Sequence, residues 1–100
     1  MRLNWSRKAL NNRLKIFRHI GQDNPDAAKR MDTLFVTAAK GLLLFPFKGK
    51  IGRVEATREM VVHPSYILVY AVDNDCVLIV DVLHAAQQYL PENFMPLAGS

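Results

Sequence analysis

His84 is the side chain in this sequence best suited by type to move protons near neutral pH, because imidazole titrates there. Its position at the end of an apolar, β-rich run gives a plainer second reading, a polar residue that closes a strand. His63 precedes Pro64 and reads as a turn residue by the same argument. The three histidines and the single Cys76 show no metal-ligand spacing, so no metal or other cofactor is expected. Cys76 lies in an apolar stretch and is expected to be a small buried hydrophobe, with no intramolecular disulfide available to it. Arg58 and Glu59 alternate with apolar neighbours. They could pair with each other's strands as structural ions or present charge to a partner.

The elements that must position these residues follow from hydrophobic spacing. Leu3 and Trp5 at period two mark a brief first strand, and Ser6 offers an N-cap. Leu10, Leu14, Phe17 and Gly21 then step along one face of a first helix, whose stripe is expected to face the core. Asn24-Pro25 restarts the chain as cap and first helical residue. Ala27, Met31, Leu34, Ala38 and Leu42 form the stripe of a second helix, which Pro46 stops. A short connection makes the two helices an antiparallel hairpin. Period-two, β-branched sequence follows, predicting strands near residues 52–55, 57–62, 67–72 and 77–83, with turns at His63-Pro64-Ser65 and Asp73-Asn74-Asp75. Turns this short require antiparallel neighbours. Both faces of the 67–72 strand are apolar, which predicts a central position; one face would pack on the helix hairpin and the other on C-terminal residues or a partner. The fold class is therefore α+β, a short N-terminal strand and a helical hairpin packed on a twisted antiparallel sheet.

At 100 residues, half of them apolar, the chain suits one folded domain, expected over residues 1–91. Residues 92–100 mix apolar side chains with Pro96 and Gly99, and form a tail that either folds over the sheet or is ordered by a partner. No apolar run approaches the roughly 18 residues needed to span a bilayer, and the polar N-terminus lacks a secretory apolar core, so a soluble cytoplasmic protein is expected. Charge is divided unevenly. All 13 Lys and Arg lie at or before Arg58, where four acids leave a net +9; from Glu59 onward five acids stand with no Lys or Arg. A cationic surface of this kind attracts an acidic partner or a phosphate backbone. The basic first helix has no recognition-helix signature or aromatic stacking platform, so neither sequence-specific nucleic-acid binding nor membrane binding is expected, and an acidic protein is the simpler partner.

Asn24-Pro25 with Ala27-Ala28, Gly52-Arg53-Val54, Thr57-Arg58-Glu59-Met60-Val61-Val62, Tyr66-Ile67-Leu68-Val69-Tyr70 and Val80-Asp81-Val82-Leu83-His84 occur in an order and spacing that resemble the RelE/ParE toxin superfamily. With Trp5 before a helix carrying Ala9, the chain is most similar to the ParE branch, over about residues 2–91. The resemblance implies a toxin of a type II toxin–antitoxin system, silenced by an acidic, ParD-like antitoxin. For ParE-like members it implies DNA gyrase as target and no chemistry by the toxin itself; for RelE-like members it implies messenger RNA cleavage on the ribosome. An RNase needs cations for the developing phosphorane. RelE-like members carry them in and just after the last two strands, where this chain has none. The remaining RNase set would be Arg58, Glu59, His84 and Tyr89. As binding residues the resemblance, with charge, suggests Arg13, Arg53, Arg58, Glu59 and Tyr89, for target or antitoxin.

Overall fold

The computed structural model describes residues 1–85. Seven elements follow in order: β1 (Arg2–Trp5), α1 (Arg7–Gly21), α2 (Pro25–Gly41), β2 (Lys50–Ile51), β3 (Arg58–His63), β4 (Tyr66–Asp73) and β5 (Cys76–His84). They form an α+β sandwich, with the hairpin of α1 and α2 laid on one five-stranded sheet of order β1-β5-β4-β3-β2. β4 is the central strand, as its two apolar faces require. Tyr66, Leu68 and Tyr70 enter the helix-side core while Ile67 and Val69 are buried on the other face. All neighbours are antiparallel except β1, which pairs in parallel with β5 at one edge (Trp5 opposite Ile79). The turns fall where expected, at Pro64-Ser65 and Asn74-Asp75.

The helices are capped by the residues that the sequence offers. The Ser6 hydroxyl accepts from the Ala9 amide at 3.0 Å and donates to the Val80 carbonyl at 2.7 Å, so one side chain both starts α1 and fastens it to β5. Asn24 Oδ1 accepts from the Ala27 amide at 3.0 Å, and Pro25 opens α2.

The buried face of α1 differs from expectation, and that of α2 differs in part. In α1 it is Ala9 that is buried, with Ile16 packed against the core, while Leu10, Leu14 and Phe17 are 47%, 45% and 36% exposed. In α2 the fully buried residues are Ala28, Phe35 and Ala39; of the predicted stripe, Leu42 is buried in the core and Met31 and Ala38 pack against it, while Leu34 is exposed. The reason lies in contact distance. Small Ala9 and Ala28 allow close approach, and the polar residues beside Ala9 find partners inside: Asn12 donates to Asp81 at 2.6 Å, and Arg13 binds Asp32 of α2. With its polar members satisfied, the small-residue face of α1 packs and the larger apolar face stays in water.

The segment predicted as a strand at 52–55 is instead the turn joining β2 to β3. Gly52 donates its amide to the Thr57 carbonyl at 2.8 Å, and Ala56 adopts a left-handed backbone (φ 67°), which ends extended pairing. Cys76 is half-buried rather than buried, with the Asn4 side-chain amide 3.2 Å from its sulfur. A bulge in β5 leaves Val80 without a cross-strand partner, since Tyr70 faces Ile79 and Val69 faces Asp81.

Gly49 is buried where the chain returns from α2 to the sheet, and its amide donates to the Tyr70 hydroxyl at 2.8 Å. A Cβ there would sit 2.7 Å from both the Glu59 carbonyl oxygen and the Tyr70 hydroxyl. Gly49→Ala should therefore destabilise the protein by about 1–3 kcal/mol through overpacking. Tyr70→Phe should cost a similar ~1–3 kcal/mol by leaving the Gly49 amide without its acceptor. Urea unfolding of both variants measures this; a midpoint equal to wild type in either one would show that the loop can move aside.

Candidate interaction surface

The β2–β3 end of the sheet carries three of the residues singled out in the sequence, Arg53, Arg58 and Glu59. Glu59 is only 3% exposed and points from β3 toward the 52–57 turn. Its carboxylate accepts from Arg53 three times, from Nε at 2.8 Å, from the second guanidinium nitrogen at 3.0 Å and from the backbone amide at 3.1 Å. This paired geometry is the strong form of an ion pair. The Arg53 hydrogen bonds hold the Glu59 carboxyl below its usual range, against the opposing effect of burial, and Glu59 in turn raises the Arg53 guanidinium.

Arg58 is turned the other way. Its guanidinium donates to the Gly49 carbonyl at 2.7 Å and the Phe47 carbonyl at 3.3 Å, and its carbon lies 5.0 Å from the Phe47 ring centre. The Arg53–Glu59 pair thus fixes the turn after β2, and Arg58 braces the loop before it. That loop is strongly apolar and open, with Leu44 76%, Phe45 65% and Phe47 65% exposed, next to Lys48 and Lys50.

Arg13 is occupied within the fold. It binds both Asp32 oxygens, at 2.7 and 3.1 Å, and stacks over Trp5 at 4.7 Å, joining α1, α2 and β1. It thus ties three elements of the fold together. Tyr89 lies outside the described residues, as does the 92–100 tail.

His84 ends β5 beside Tyr66, ring centres 5.3 Å apart and nearly perpendicular. It lines an open cleft of about 270 Å³ with Asn12, Lys15, His19 and Tyr66. The structure does not bring it to Arg58 and Glu59. Tyr66 of β4 faces His84 while Tyr70 faces Arg58, so the two are separated by four residues along the sheet and two strands across it, about 16 Å. Among the described residues no group of three or more His, Cys, Asp or Glu could hold a metal ion. No described helix is long and apolar enough to cross a membrane.

Two parts of this surface were missed in the sequence. The α1 side of the His84 cleft, Lys15 and His19, is set by how the helix is rolled on the sheet. The openness of the 44–47 loop had one signal, an apolar run too long for the helix end that it follows. Glu59→Gln tests the ion pair. Because the folded carboxyl lies below its unfolded value of about 4.3, its stabilisation is complete above that value and disappears as pH falls through the folded value. The variant should be less stable than wild type at pH 7, and the difference should shrink toward pH 3; an equal difference at both pH values would mean that the ion pair contributes no stability.

Comparison with known proteins completes the assignment. Residues 3–89 match the family model described as the ParE toxin of the type II toxin–antitoxin system parDE. The protein Y4kP of Sinorhizobium fredii is 38% identical over 89 residues, covering 88% of this chain and 92% of its own. Toxin RelE2 of Caulobacter vibrioides is 39% identical over 83 residues, covering 83% and 93%. Among solved structures, that of the chromosomal ParDE toxin–antitoxin system of P. aeruginosa superposes with a TM-score of 0.75 at 20% identity, covering 84% of this chain and 95% of that one. YafQ of E. coli shares the fold more distantly, at a TM-score of 0.51 and 16% identity, covering 87% and 96%. The chain belongs to the ParE toxin family, and is a toxin of a type II toxin–antitoxin system within the ParE/RelE superfamily.

Proposed function

We propose that this toxin acts in the cytoplasm by binding DNA gyrase, without chemistry of its own, and that an acidic ParD-like antitoxin neutralises it. The observation that carries the reading is the dispersal of the acid–base set. Among the described members of that set, Glu59 is bonded to Arg53, Arg58 to two backbone carbonyls, and His84 stands about 16 Å from Arg58 and about 14 Å from Glu59 along the sheet. General acid–base cleavage needs donors and acceptors within hydrogen-bond reach of one phosphate. A binding toxin needs instead a stiff surface with exposed anchors. The 44–47 loop, pinned by Arg58 and Tyr70, is such a surface, and we assign it to the target contact. Arg58 then serves binding by holding that surface in shape, and Arg53 and Glu59 by fixing the adjoining 52–57 turn. Expression without antitoxin would arrest growth, and placed on a plasmid the pair would stabilise its inheritance.

The second reading, ribosome-dependent RNA cleavage, draws on the cleft in which His84 meets Lys15 and His19. A gyrase supercoiling and DNA-cleavage assay with purified toxin separates the two. Inhibition with trapped cleaved DNA, relieved by antitoxin, is the expected result; an unaffected gyrase together with transcripts cut within codons, and loss of cutting in His84→Ala, would replace it. Phe45→Ser should weaken gyrase inhibition at least tenfold with little change in melting temperature, since the side chain is 65% exposed. Full inhibition by that variant would remove the loop from the target contact.

A further inference from the structure

All three histidines of the chain gather about one ring. Tyr66, the first residue of β4, meets His84 of β5 at 5.3 Å between ring centres and His63 of β3 at 5.9 Å, while His19 of α1 lines the same cleft. Phe35 packs on the ring at 5.5 Å and holds it in place. The cleft, about 270 Å³, lies between this end of the sheet and one flank of α1. Asn12, Lys15, Ile16 and His19 share that flank, an arc of about 100° around the helix that leaves out Leu10, Leu14 and Phe17.

The lining divides by chemistry. Ile16, Val82 and Tyr66 form its apolar part, whereas Lys15, His19 and His84 bring nitrogen donors from two elements, and none of the described lining residues is acidic. Lys15 makes no ion pair among the described residues. Asp81, next to Val82, is already engaged: its Oδ1 accepts from Asn12 at 2.6 Å and from the Val82 amide at 2.7 Å, and Lys8 lies 3.3 Å from its Oδ2.

We propose that this cleft binds a small phosphomonoester, its phosphate group among Lys15, His19 and His84 and its organic part against Ile16, Val82 and Tyr66. Such binding requires neither gyrase as target nor any cleavage of the ligand. Charge and shape select the occupant. A tetrahedral phosphate presents oxygens in several directions, so it can take donors from α1 and β5 together, with lysine serving as a point charge. The volume is close to the lower limit of about 300 Å³ for small-molecule pockets, which suits one such molecule. It leaves no room for a partner's helix, about 10 Å across with its side chains.

Three histidines give three separable imidazole signals in proton NMR. Inorganic phosphate titrated into the purified toxin at pH 7 and constant ionic strength should move the His19 and His84 signals saturably. His63, whose Nδ1 accepts from the Ser65 amide at 3.0 Å, should stay in place as an internal reference. Adenosine 5′-monophosphate should bind more tightly than phosphate, and adenosine at least about tenfold more weakly than the nucleotide. Equal affinity for phosphate and nucleotide would overturn the organic part and leave a site for free phosphate. Lys15→Ala/His19→Ala, at two exposed positions, should weaken binding of both at least about tenfold in a chain shown by circular dichroism to be folded. Signals that move without saturation, or unchanged affinity in the folded variant, would overturn the proposal. So would movement caused by an unphosphorylated RNA oligonucleotide but by neither phosphate nor nucleotide, which would put an RNA backbone in the cleft. Gyrase inhibition enters none of these measurements.

Discussion

The Tyr70 hydroxyl, buried at the centre of the sheet, is the point on which the β2–β3 end of the molecule depends. By accepting the Gly49 amide it satisfies a buried backbone donor and draws the chain leaving α2 down onto β3 and β4. Only a residue without a side chain fits, because the Glu59 carbonyl closes the same space. From this anchor β2 is in register to pair Lys50 with Glu59 and Ile51 with Arg58. The turn after β2 can then place Arg53 over the Glu59 carboxylate, and the Gly49 carbonyl lies where Arg58 can reach it.

Two neighbouring residues of opposite charge thus do different work because a strand sends them to opposite faces. Glu59 is buried and would be costly as a lone charge; its hydrogen bonds to Arg53 make its burial tolerable and stiffen the 52–57 turn. Arg58, on the other side, braces the loop that carries Phe45 and Phe47 into solvent. Ala56, left-handed without being glycine, lies in the same turn, a local strain held in place by the bonds on either side of it. Rigid support under exposed aromatic side chains is what a recognition surface requires, since the anchors then lose little freedom on binding.

The opposite end of the molecule follows another rule. There the helix hairpin is closed by polar contacts, Arg13 to Asp32, Asn12 to Asp81 and Ser6 to Val80, and by close approach at alanines. Large apolar side chains on α1 are left outside as a result, on a helix whose charge has one sign. The result is a protein with two exposed apolar areas, each bordered by cations: one supported by the sheet, the other by the hairpin.

Most of the architecture was legible in the sequence because it depends on local rules. Period-two apolar runs and short turns determined β3, β4 and β5 and their antiparallel order; Ser6 and Asn24-Pro25 determined where the helices begin; the doubly apolar β4 could only be central. The family too was legible, from motifs whose order survives without any contact being known. The roll of α1 was not. α1 has two candidate stripes, and the larger one loses because only packing reveals that Asn12 and Arg13 have partners in Asp81 and Asp32. Residues 52–55 of the turn read as a strand because composition cannot report a left-handed Ala56 or the hydrogen bond from Gly52 to Thr57. Which residues share a site was likewise decided by register: Arg58 and His84 are both strand residues of suitable type, yet their partners on β4 stand four residues apart, and only pairing across the sheet fixes that distance.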